Sequence, residues 1–196
     1  SYVRSYEAKA AFEAAGKTAF DVACRDGLPK TVARLLPEQR PEHVGRGLEI
    51  AATYGRRSCV EVLTSDQSQL TVEQLSAALR ATAKGDGERD LGKLTTLVSN
   101  TGLLTAESDS SVVELEDKLR SSIASRLLKC GAVVDEADEM NQTALHSACA
   151  RGYHRLVQLL IKAGADVDAA ERSMGLTCLH IASTDGVVQL LAEANA

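Results

Sequence analysis

The sequence predicts an all-α solenoid of about six stacked helix-turn-helix repeats, and three observations lead there. The 196 residues are 44% hydrophobic, enough to bury a core, yet only 3% are aromatic and none is Trp. The buried surface must therefore come from Ala, Leu, Val and Ile, which suits closely approaching helices better than a β-sandwich. The third observation is a block of sequence that recurs at a near-constant interval, the mark of a repeat array.

The clearest copy runs from Thr143 to Asp168, TALHSACARGYHRLVQLLIKAGADVD. Thr143, Leu145 and His146 open a first helix, Ala148 faces inward, and Gly152 marks a helix-helix turn. Val157, Leu159 and Leu160 form a second helix ending at Gly164. A second copy, GLTCLHIA from Gly175, places Thr177, Leu179, His180 and Ala182 at the matching positions, followed by Gly186, Val188, Leu190 and Leu191.

Weaker copies precede these. Thr18 to Leu36 has Phe20 at the Leu position, Ala23 inside and Gly27 at the turn, with Val32, Leu35 and Leu36 behind. Leu48, Ala51, Gly55, Val60 and Leu63 repeat the scheme, Leu79 with Ala81, Ala83 and Gly85 marks another, and Val112 opens a further stretch. The anchors 20, 48, 79, 112, 145 and 179 are then 28 to 34 residues apart. They divide the chain into an opening or capping helix over 1–16 and repeats near 17–44, 45–75, 76–108, 109–139, 140–172 and 173–196. The stretch 99–111, SNTGLLTAESDSS, reads as an irregular insertion.

The order of these parts resembles the ankyrin-repeat family, most closely over 138–191. Ala144 and Cys178 stand where that family usually has Pro, and Asn141 where it has a hairpin Gly. The resemblance implies that Thr18, Thr143 and Thr177 cap first helices and that His146 and His180 are neutral imidazoles bonded locally. Ala23, Ala51, Ala148 and Ala182 would keep neighbouring pairs close. Gly27, Gly55, Gly152 and Gly186 would serve the turns.

Composition narrows the function classes. A net charge of −5, an isoelectric point near 5.4 and the absence of a basic run argue against nucleic acid as a partner. No stretch is apolar for long enough to insert in a membrane, and no secretion signal opens the chain. Five widely spaced Cys at helical positions fit a reduced, intracellular setting, cytoplasmic first with the nucleus also compatible. The limits at Ser1 and Ala196 are those expected of a segment of a longer protein.

Chemistry-bearing motifs are outweighed. Gly16-Lys17-Thr18 lacks the earlier Gly of a phosphate loop, since position 11 is Ala. The sequon Asn141-Gln142-Thr143 uses a Thr needed as a cap. No Cys-x-x-Cys or His-x-x-x-His supports a metal site. Cys149 and Cys178 each lie near a His but read as small buried residues rather than nucleophiles. Asp135, Glu136, Asp138 and Glu139 read as a hairpin flank. No enzyme activity, metal or cofactor is expected.

The resemblance implies instead a partner protein or peptide, bound on hairpin tips and first helices. Matching positions nominate Arg25 and Asp26 in the first copy, Tyr54 in the second, Glu139, Met140 and Gln142 on one hairpin, Arg172 and Met174 on the next, and Arg151 and Asp185 at first-helix ends. Thr53, Glu171, Ser173 and Leu176 lie beside them. The alternative is a regulatory or targeting segment acting within a larger enzyme, channel or signalling protein. Tyr2, Tyr6 and Phe12 are expected to cover the end of the core.

Overall fold

The computed structural model describes residues 18–65, 70–85 and 109–194, with side chains of the last stretch from 113 onward. Tyr2, Tyr6, Phe12 and most of the expected insertion lie outside the described residues.

Among the described residues ten α-helices follow one another: α1 (Ala19–Asp26), α2 (Pro29–Leu35), α3 (Pro41–Thr53), α4 (Arg57–Leu63), α5 (Val72–Lys84), α6 (Asp109–Lys129), α7 (Ala144–Arg151), α8 (His154–Lys162), α9 (Cys178–Ile181) and α10 (Asp185–Ala194), with a 3₁₀ turn at Leu36–Glu38. The odd-numbered helices stack on one another as an inner layer. The even-numbered helices stack behind them, each against its own inner partner and against its neighbours. The architecture is the all-α solenoid that the repeats predict.

Local sequence explains the helix limits. Thr18 Oγ1 accepts the Asp21 amide at 3.2 Å while Asp21 accepts the Thr18 amide at 3.0 Å, a reciprocal cap at the start of α1. Thr71 and Gln74 do the same for α5. Gly27, Gly55 and Gly152 turn the chain from inner to outer helix with φ of 74°, 66° and 70°, a region in which a Cβ is strained. Asn141 also lies in the left-handed region, φ 60°, in the place of the family's hairpin Gly.

Each of the first four inner helices buries one large anchor, Phe20, Leu48, Leu79 or Leu145. Ala23, Ala51 and Ala148 are buried beside them, as expected. Val32, Leu63, Ile123, Leu127, Leu156 and Leu160 complete the core from the outer layer.

Three expectations change. The helix beginning at 109 does not open a repeat. It packs behind α5, between α4 and α8, and so supplies the outer helix of the third pair. The described helices therefore form five pairs, the third made of α5 and α6. Residues 109–111 of the expected insertion belong to α6. Secondly, Gly186 lies inside α10, and the turn before it is made by Ala182, which is half-buried, with Ser183 and Thr184. Thirdly, Leu179 is 50% exposed, because among the described residues no inner helix stacks on the far side of α9.

The long α6 holds the stack together with charges placed at helix ends. Arg120, only 3% exposed, donates to the carbonyls of Thr82 at 2.7 Å and Thr53 at 3.4 Å, the C-terminal ends of α5 and α3. It also pairs with Glu116 at 2.7 Å and sits 5.6 Å over the Tyr153 ring. Arg126 donates to Oγ1 of Thr64, beyond the end of α4, at 3.0 Å. Buried Asp117 accepts the amides of Arg155 at 2.7 Å and Leu156 at 3.0 Å, capping α8 from a different helix. Cations meet helix C-termini and an anion meets an N-terminus, the sense the helix dipole favours.

Candidate partner-binding surface

The ten nominated residues fall on two rims, separated by the length of an inner helix. Arg25, Asp26, Tyr54 and Arg151 lie at or just past inner-helix C-termini, on the turn side, whereas Asp185, expected at a first-helix end, is the first residue of the outer helix α10, beyond the turn that follows α9. Arg25 pairs with Asp26 at 2.9 Å, and the Arg25 carbonyl accepts from Arg56 at 2.8 Å. Tyr54 caps α3 and is half-buried. Glu139, Met140, Gln142, Arg172 and Met174 lie on the opposite rim, in two hairpin fingers that precede α7 and α9. All five are exposed, Met140 by 48% and Met174 by 77%.

Both fingers are shaped by a carboxylate. Asp138 accepts the amides of Met140 and Gln142, each at 2.9 Å. In the next finger Glu171 accepts the Ser173 amide at 3.0 Å, the Ser173 hydroxyl at 2.5 Å and the Met174 amide at 2.7 Å. These donors hold the Glu171 carboxyl down at about 2, from an ordinary 4.5, the Ser173 hydroxyl contributing most. The fingers are also tied to each other. The Arg172 amide donates to the Met140 carbonyl at 2.8 Å, its guanidinium to the Glu139 carbonyl at 3.1 Å, and the Asn141 side chain to the Ala170 carbonyl at 2.6 Å. Two flexible apolar side chains thus stand on a braced support.

Between the rims runs a groove of about 240 Å³ over α3, α5 and α7. Its floor is small or short: Thr53, Ala77, Ala81 and Ser147. Glu49, Arg80, Lys84, Asp138 and Gln142 edge it. Arg80 is held by Glu136 at 3.2 Å. Arg80 and Lys84 were not nominated from sequence. The signal was available in principle, since Arg80 follows Leu79 as His146 follows Leu145.

Several residues of the motifs set aside above are held in local contacts. The Thr143 amide donates to Nδ1 of His146 at 3.3 Å, and Thr177 and His180 repeat the contact at the same length. Asp135 accepts the Asp166 amide at 2.9 Å, so the acids near 135–139 brace neighbouring loops. Cys149 and Cys178 are buried. Among the described residues no group of His, Cys, Asp and Glu is arranged to hold a metal ion. None of their helices is long and apolar enough to cross a membrane.

Comparison with known proteins agrees with this architecture. The family described as ankyrin repeats (3 copies) matches residues 116–196. Notch-regulated ankyrin repeat-containing protein A of Danio rerio is 38% identical over 77 residues, 37% of this chain and 68% of the relative. The chain belongs to the ankyrin-repeat family. Two other relatives are matched over a small part of their length. Probable E3 ubiquitin-protein ligase XBOS33 of Oryza sativa subsp. japonica is 39% identical over 67 residues, 34% of this chain and 13% of that protein. Protein fem-1 homolog A of Danio rerio is 50% identical over 48 residues, 24% of this chain and 8% of that protein. Ankyrin repeats in general mediate contacts between proteins, and the family is generally non-catalytic.

Proposed function

We propose that this ankyrin array is a non-catalytic binding module, inside the cell, for a partner protein or peptide. The contacts would come from Glu139, Met140, Gln142, Arg172 and Met174 on the finger rim and Arg25, Asp26, Tyr54, Arg151 and Asp185 on the turn rim, with the groove between them. The observation that carries the reading is the pair of fingers. Met140 and Met174 are exposed apolar side chains on backbone fixed by Asp138, Glu171 and Arg172, so presenting them costs little further ordering on association. Met adapts to varied apolar partners, and Arg beside it is typical of interface centres.

A second reading, a regulatory segment acting on another part of its own longer protein, draws support from the relatives matched over 13% and 8% of their length.

Affinity capture from source-cell lysate tests both. The intact array is compared with folded variants carrying Met140→Ala with Met174→Ala, and Tyr54→Ala with Arg151→Ala. A protein held by the intact array and lost from either variant supports the module and identifies the rim. Equal capture by all three removes Met140, Met174, Tyr54 and Arg151 as the site. No specific capture, combined with binding of the array to another segment of the full-length protein, favours the second reading.

A further inference from the structure

The outer layer carries a feature that neither the rims nor the groove uses. Between α4 and α6 lies a cavity of about 260 Å³, set among outer helices rather than over the inner ones. Its floor is Val60 and Ile123, each 1% exposed, so it reaches down to the core. Its walls are polar: Arg57 and Glu61 from α4, and Ser122, Ser125, Arg126 and Lys129 from α6. Three cations thus stand with one carboxylate, in a chain whose net charge is −5. The local excess is visible in the sequence, where 118–134 holds four cations and no acid.

The donors around the cavity are partly fixed and largely unspent. Arg126 donates from Nε to Thr64 Oγ1 at 3.0 Å and from Nη2 to the Thr64 carbonyl at 3.4 Å. Thr64 is buried and is itself tied to the Val60 carbonyl at 2.7 Å. Arg57 donates from Nε to Glu61 at 2.9 Å. A guanidinium has five N–H donors, and these contacts use two in Arg126 and one in Arg57. Among the described residues the side chains of Lys129, Ser122 and Ser125 have no polar partner, whereas the neighbouring Ser121 hydroxyl is spent on the Asp117 carbonyl at 2.6 Å.

We propose that this cavity binds the phosphoryl group of a phosphorylated Ser or Thr in a segment of a partner protein. A phosphate monoester brings a charge near −2 and three acceptor oxygens. That charge matches three cations less Glu61, and the oxygens match the unspent guanidinium, ammonium and hydroxyl donors. A carboxylate, with one charge and two oxygens, would leave about half of them unmatched.

The surroundings select a peptide as the carrier. Arg57 also lines a second cavity of about 250 Å³, with Ser58 and the half-buried Leu119. Together the two follow α6 from Leu119 to Lys129, roughly 15 Å of helix. An extended segment of about four residues spans that length, so residues flanking the phosphate have a place to lie. No aromatic ring lines either cavity, so nothing there stacks a nucleobase. An anionic bilayer calls for cations spread over a plane, and Glu61 and Glu114, both exposed, interrupt this one.

The test follows the backbone amide signals of the whole folded chain while a blocked Ala-Ala-phosphoserine-Ala-Ala peptide is added. Signals of Ser122, Ser125 and Lys129 should move and saturate on the order of 1 mM, as befits a short probe with a few charge-assisted contacts. Arg126→Gln should weaken binding about tenfold or more. Because that change also releases Thr64, Lys129→Gln and Ser125→Ala are made as well. Neither breaks a side-chain contact among the described residues, and each should weaken binding about threefold. The unphosphorylated peptide should move none of these signals. Equal shifts from it, or binding unchanged in both Lys129→Gln and Ser125→Ala, would overturn the proposal. So would inorganic phosphate binding as tightly as the peptide, which would make this a site for a free ion. Tighter binding at the same signals by phosphatidylserine vesicles or a single-stranded oligonucleotide would overturn it in favour of those partners.

Discussion

The second and third helix pairs differ from the fourth and fifth in how the inner helix begins. α3 starts at Pro41 and α5 at Val72, two turns ahead of Leu48 and Leu79, whereas α7 and α9 start one residue before Leu145 and Leu179. The earlier pairs fill the extra length with helix packed on helix. Gly47 allows this on one side, since a Cβ there would come within 2.5 Å of the Phe20 ring, and Gly45 does so on the other, against Gln74. The later pairs fill it with hairpin fingers, whose backbone groups are satisfied by Asp138 and Glu171 rather than by helical hydrogen bonds. The same stacking rule thus yields a rigid face in one half and a presenting edge in the other, and the choice rests on a few residues before the anchor.

The largest way to break the comparison is at the joint between the halves. Arg120→Ala removes the partner of Glu116 and the donor to Thr82 and Thr53 in one change, and should cost about 3–5 kcal/mol, as for a buried pair left half-made. Chemical denaturation followed by circular dichroism would measure it, and a loss below about 1 kcal/mol would show the contact to be dispensable. Gly47→Val is next. Overpacking against Phe20 should cost about 1–3 kcal/mol while leaving the fingers intact, so unfolding should shift and finger amide signals should not.

The smallest effect sharpens the other half. Glu171 has a folded value near 2, below the 4.5 of the free group, so its contribution is complete above about pH 4.5 and disappears as pH falls toward 2. Protection of the Ser173 and Met174 amides from hydrogen exchange should fall across that window. Glu171→Gln should remove the pH dependence of the finger and leave the protection of α3 and α5 unchanged. Unchanged protection down to pH 2 would mean that the finger holds its shape without the carboxylate.

Much of this was legible in the sequence. Thr143, Leu145, His146 and Gly152 give cap, anchor, brace and turn from residue type alone, and the structure puts each in that place. The third pair was not legible for an arithmetical reason. Leu79 and Leu145 stand two repeat lengths apart, and the period places an anchor at Val112, which belongs to the outer helix α6. Leu179 and Gly186 misled differently. They keep the family's letters in a last pair that no further inner helix covers and whose turn is built from Ala182, Ser183 and Thr184. Of the surface, residue type marked the Met tips. It could not show that Arg172 and Asn141 would brace one finger on the next, because those contacts reach backbone carbonyls, which the sequence leaves unmarked.

The separation within the third pair also bears on how the array assembles. In the first, second and fourth pairs the two helices are joined by a turn of two or three residues and can meet almost as soon as they form. In the third, α5 and α6 lie further apart in sequence, from Lys84 to Asp109, so their contact forms over a longer separation than in a pair joined by a turn. The blocks on either side can each nucleate from local contacts, as linear arrays do, and their joining through α6 becomes the slow, late event. Kinetic cooperativity in this solenoid is therefore set near its centre rather than at its ends.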